Sequence, residues 1–179
     1  MGALVCWPAG RLLAADEDNA TPRQRISAAQ LYEALAARFP VRLAFGSLLE
    51  LQVSAPRLLL LPARNKLGAA LQAQLGGLPM PAAELEIVFA LRYEPSDRTV
   101  RGRDPEFLDV RWPGAPPETL QVLRGVLPAL AQQLGEVVLH RMSPRELALP
   151  ETMGFEPGDL QVTEDGLTVL FRPKARLRG

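Results

Sequence analysis

Asp97, Asp104, Glu106 and Asp109 are four carboxylates packed into a short stretch, interleaved with Arg98, Arg101 and Arg103. Oxygen donors at this density could hold a hard cation such as Ca2+. The twelve-residue loop spacing that does so in helix–loop–helix sites, with its central glycine, is missing. Cross-strand ion pairs on a wetted face account for acids and bases alternating in this way. His140 falls on an alternating segment, out of phase with Val137 and Leu139, and reads as a sheet-face or edge imidazole. A general base would need a nucleophile within hydrogen-bond reach. Ser27, Ser47, Ser54, Ser96 and Ser143 fall in caps and turns, and none sits in a G-x-S-x-G elbow. Gly76-Gly77 is followed by Leu-Pro-Met-Pro, which supplies no Lys or Ser for a phosphate loop and reads as a turn. An enzyme working through the Asp97–Asp109 carboxylates is therefore the weakest of the available readings.

Composition narrows the field further. The chain has 179 residues, the length of one domain, and can bury a core without staples. Twenty basic residues balance twenty acidic ones, so the basic excess that phosphate backbones demand is missing and no nucleic-acid partner is expected. Aromatic residues are 6% of the chain, too few for a base-stacking platform. A single His and a single Cys cannot make a Cys/His zinc site, an internal disulfide or a two-histidine motif. No cofactor or metal is expected.

The ends read differently from the middle. Met1–Ala15 is apolar and rich in small residues, then gives way to Asp16-Glu17-Asp18-Asn19. That resembles the back half of a secretory signal without its positively charged start, or else a flexible arm. Cys6 follows Ala3-Leu4-Val5, a poor lipid-attachment context. The tail from Arg172 to Arg178 is basic and reads as solvated, with anionic lipid as the alternative. Residues 1–25 are thus expected as signal remnant or flexible arm, 26–172 as one domain, and 173–179 as a basic tail.

Helix and strand periods alternate along the domain. Ser27 and Gln30 form a capping box, Ile26 and Leu31 a staple, and Leu31, Leu35 and Phe39 one apolar face, which predicts a helix over 28–39 ended by Pro40. Val41–Phe45 and Leu49–Val53 alternate as strands, and Pro56 demands a bend or an edge. Leu67–Leu75 fits either period, because its leucines and alanines suit helix and strand alike. Leu85, Ile87, Phe89, Leu91 and Tyr93 mark the cleanest strand, followed by a turn at Glu94–Asp97 and strands over 98–103 and 106–112. Leu120, Leu123, Leu127, Leu130 and Leu134 predict a second helix over 117–134, kinked at Pro128 and stopped by Gly135. A strand at Val137–Arg141, a proline-bearing loop and a hairpin around Asp165-Gly166 complete the chain. Strands in a run, not alternating with helices, argue for an α+β fold with an antiparallel sheet.

Leucine use is well above average. Leu58–Leu61 and Leu167–Phe171 are apolar on both strand faces, so the sheet needs two coverings or lines a cavity. A filled leucine core and a lined groove both satisfy that pattern.

Several segments together carry a family likeness. They are Glu50–Pro56 leading to Pro62–Leu67, Tyr93-Glu94-Pro95 followed by Arg103-Asp104-Pro105, and Leu147–Phe171 with Gly154-Phe155-Glu156-Pro157-Gly158. Over 26–172 the chain resembles the YceB-like family of bacterial envelope lipoproteins, whose function is unassigned. The resemblance implies half of a tubular lipid-binding fold: a strongly curved antiparallel sheet wrapped around a long helix in the C-terminal half, with an N-terminal helix beside it. It implies a periplasmic or envelope protein, associated with a membrane surface and not an enzyme. The chain departs from the family in lacking an acceptable lipid-attachment site. The expected function is binding of lipid or another apolar molecule between sheet and helix. Leu85, Ile87, Phe89 and Leu91 from the strand, and Leu123, Leu127 and Leu130 from the helix, are its expected nonpolar wall. The alternative is a structural or protein-interaction module with a filled core and no ligand.

Overall fold

A computed structural model describes residues 21–45, 49–75 and 81–175. The signal-like segment with Cys6 and Trp7, the Gly76-Gly77 turn and the end of the basic tail lie outside the described residues. The chain runs β1 (Arg23–Ser27), α1 (Ala28–Ala36), β2 (Val41–Phe45), β3 (Leu49–Leu61), a 3-10 turn (Pro62–Arg64), β4 (Lys66–Leu75), β5 (Ala83–Glu94) and β6 (Thr99–Arg111). It continues through α2 (Pro117–Leu134), β7 (Val137–Arg141), α3 (Pro144–Thr152), β8 (Phe155–Thr163) and β9 (Gly166–Pro173). The fold is α+β. A six-stranded antiparallel sheet ordered β2-β3-β4-β5-β6-β7 curls into a half-barrel, and a second sheet of three strands is ordered β1-β9-β8.

Extra residues in single strands account for the curl, because each bulge bends its strand and adds twist. In β3 the register against β4 shifts between Ser54 and Arg57, where Pro56 sits. The shift moves the inward set from Val53, opposite Ala73, to Leu58 and Leu60, opposite Ala69 and Leu67. The two strands expected over 98–103 and 106–112 are one strand, β6, with register shifts against β5 on either side of Val88. Asp104, in left-handed backbone at φ 49, lies at one of them. The curl is deep enough that α1 touches both β3 and β7. Those strands would be on the order of 19 Å apart in a flat sheet, against a helix diameter of about 10 Å.

Local chemistry sets the helices. Ser27 is extended, its hydroxyl accepts from the Gln30 N–H, and the Gln30 side chain accepts from the Ser27 N–H. Ile26 and Leu31 are both fully buried beside this capping box. α2 runs on through Pro128, which is exposed. Gly135, at φ 59, stops it. The inward face of α2, with Leu123, Leu127 and Leu130, is buried, and the helix packs on β6.

The helix expected over 28–39 ends at Ala36, where the chain tightens into a turn before Pro40, and further expectations need correction. Residues 23–25, expected within a flexible arm, belong to β1 and pair with β9, Ile26 opposite Leu167. Its strand partner lies at the far end of the chain, beyond the reach of local periodicity. The expected loop after β7 contains α3, opened by a second capping box between Ser143 and Glu146 with Pro144 at the first helical position. Pro150, inside the helix, masks this signal. The final turn is Glu164-Asp165, and Gly166 already belongs to β9, opposite Thr163 and Ser27. A Cβ on Gly166 would lie 2.2 Å from the Ile26 carbonyl oxygen, so no other residue fits where β1 crosses.

Candidate functional site

Leu67–Leu75, which fits either period in the sequence, is a strand. Its pairing with β5 sets Leu67 opposite Phe89, Ala69 opposite Ile87 and Leu71 opposite Leu85. All six are buried on the inward face of the curl. Ala69 is a short side chain between two leucines, and the volume it leaves is not filled by its neighbours. α1 and α2 both stop above this spot. The Arg38 N–H donates to the Leu35 carbonyl at 3.0 Å and the Phe39 N–H to the Ala36 carbonyl at 3.0 Å, closing α1 in a tight last turn.

Between these helix ends and the sheet lies a cavity of about 450 Å3. Its walls are Leu35, Phe39, Ala69, Leu71, Ile87 and Phe89, completed by Leu134 and Val137. Arg38 and Gln133 are its polar lining residues. Gly102 lies against Phe89: a Cβ there would be 3.0 Å from the Phe89 Cβ, so glycine makes the room in which that ring stands.

Of the expected wall, Ile87 and Phe89 line this cavity. Leu85 and Leu130 are buried in closed packing, and Leu91 is partly buried against the same core. Leu123 and Leu127 are buried where α2 meets β6, and Leu127 lines a separate depression beside Glu106, Asp109 and Arg124. The core is continuous through all of them, but the cavity is not under the middle of α2. The residues that sequence reasoning missed are Leu35, Arg38, Phe39, Ala69, Leu71, Gln133, Leu134 and Val137. The readable signal was an alanine at the centre of an otherwise leucine-lined inward face, once 67–75 is taken as a strand.

The carboxylate stretch forms ion pairs, as its alternation with arginine suggests. Asp97 accepts from the Thr99 hydroxyl at 2.6 Å and from Arg101 at 2.5 Å, and Arg101 reaches on to Glu136 at 2.9 Å. Glu106 accepts from Lys66 at 2.6 Å and Asp109 from Arg111 at 2.8 Å. These hydrogen bonds hold Asp97, Glu106 and Asp109 below the ordinary carboxylate range. Among the described residues no three of His, Cys, Asp and Glu are grouped to hold a metal ion.

His140, on β7, has Nε2 3.1 Å from Glu146 Oε1. The Ser143 hydroxyl donates to Glu146 Oε2 at 2.7 Å, as does its N–H at 2.7 Å. The hydroxyl is therefore committed to a carboxylate and not to the imidazole, which is the wrong connectivity for an activated nucleophile. Burial would raise the Glu146 pKa, but the bonds from Ser143 and His140 outweigh it and hold the carboxyl below its ordinary range. The group is a helix cap tied to a strand.

No family model matches the chain, and no curated protein matches it. No helix among the described residues is long and apolar enough to cross a membrane.

Proposed function

We propose that this protein binds a lipid or another apolar small molecule in the cavity between the curled sheet and the ends of α1 and α2, and catalyses nothing. The observation that carries this reading is the cavity itself, about 450 Å3 and walled by aliphatic and aromatic side chains, within the roughly 300–1,000 Å3 of small-molecule sites. Affinity would come from removing apolar surface from water, about 0.8 kcal/mol for each buried methylene. An envelope setting at a membrane surface belongs to the same proposal and draws on the family resemblance. A structural or protein-interaction module with a filled core is the competing reading, favoured by the closed packing of Leu85, Leu123 and Leu130.

Uptake of an environment-sensitive apolar dye separates the two. The wild type should take up the dye saturably at one site. Ala69→Leu, which fills the hollow from its floor, should weaken uptake at least tenfold while the melting temperature holds or rises. Absence of saturable uptake by the wild type, or unchanged uptake by Ala69→Leu, would count against the cavity.

A further inference from the structure

We infer that the ligand of this cavity is a single-chain carboxylate, its tail against the apolar wall and its head on Arg38; this rests on the binding reading above. Size is the first argument. At about 450 Å3 the cavity lies toward the small end of the roughly 300–1,000 Å3 of small-molecule sites, the scale of one acyl chain.

Charge is the second. Arg38 follows Ala37, the C-cap of α1, is exposed, and makes no ion pair or side-chain hydrogen bond among the described residues. The nearby carboxylates are occupied or turned elsewhere. Glu136, beside Val137 of the wall, is held by Arg101 at 2.9 Å. Glu33 of α1 lines a different depression, against Val138–Arg141 of β7. The negative end of α1 is blunted, because its last carbonyls accept from the N–H groups of Ala37, Arg38 and Phe39. A guanidinium at an apolar rim presents a planar fork that matches a carboxylate, and Gln133 brings amide donors to the same cavity.

The test compares dodecanoate with 1-dodecanol by titration calorimetry below their aggregation limits. Both share a tail and differ in the head. Wild-type protein should bind dodecanoate about tenfold more tightly than the alcohol, the size of a hydrogen bond to a charged group. Arg38→Gln should erase that preference, and Arg38→Lys should keep part of it. Shortening the acid from dodecanoate to octanoate should cost about fourfold per methylene. Equal binding of acid and alcohol by the wild type, or a preference that survives Arg38→Gln, overturns the head-group assignment and leaves the apolar site standing. Failure of both ligands to bind the wild type overturns the binding reading itself, and this inference with it.

Discussion

Asn65 makes the turn out of β3 in left-handed backbone, φ 49, and spends its amide on another strand. Its Nδ2 donates to the Leu160 carbonyl at 2.8 Å, and its Oδ1 accepts from the Val162 N–H at 2.7 Å. One side chain thereby fastens β8 of the small sheet to the half-barrel. Asn65→Ala should lower stability by about 2 kcal/mol, since two partly buried backbone groups lose their partner and the backbone position is strained. Asn65→Gly should recover the backbone share but not the bonds, and urea denaturation of the three proteins measures both. Glu146 supports a pH prediction. Its pKa is depressed in the fold, so the stability it contributes is present above the unfolded value of about 4.3 and is lost as pH falls through the lower folded value. Ser143→Ala should cost about 1 kcal/mol at neutral pH, flatten the acid-side loss and raise the Glu146 pKa, followed by side-chain NMR. Little of this was legible beforehand. Both capping boxes are written locally as Ser-x-x-Gln and Ser-x-x-Glu, but Asn65 reaches strand partners far along the chain, and no spacing rule joins them.

At the scale of elements, close approach and open space predict opposite outcomes for two glycines. A Cβ on Gly68 of β4 would lie 2.1 Å from the Ile87 carbonyl oxygen and 2.8 Å from Val88 Cγ1. Gly68→Ala must part β4 from β5, with a loss of about 2 kcal/mol or more. Gly125 is exposed on α2, with nothing within 4 Å of an added Cβ. Gly125→Ala should stabilise by about 0.5–1 kcal/mol through helix propensity. Thermal melts of the two variants check the pair. Elements with a local code were readable: α2 by apolar period and stop residue, β5 by alternation, and α1 by apolar period, although it ends at Ala36, short of the expected Pro40. Elements whose code was mixed were not. Leu67–Leu75 satisfies both periods, and only its pairing on both sides, with β3 and β5, decides for strand. α3 has its start signal but carries Pro150, and β1 has a single inward apolar residue, Ile26.

The described residues join a half-barrel and a small sheet around one apolar core, in a chain with equal numbers of acidic and basic residues. Its class followed from strands arriving in a run. Its cavity did not, because the hollow depends on where α1 and α2 stop relative to Ala69, a coincidence of three segments distant in sequence. That is why Ile87 and Phe89 of the expected wall line the hollow, and Leu123, Leu127 and Leu130 of α2 do not. On the proposed function, the hollow is occupied by an apolar molecule. Native mass spectrometry of protein purified from a bacterial periplasm, with organic extraction of whatever it carries, tests this most directly. A stoichiometric adduct that extracts as a single-chain amphiphile and is lost in Ala69→Leu is the expected result. A clean apo mass, with no uptake of added fatty acid or phospholipid, would contradict it and leave the competing reading of a protein-interaction module.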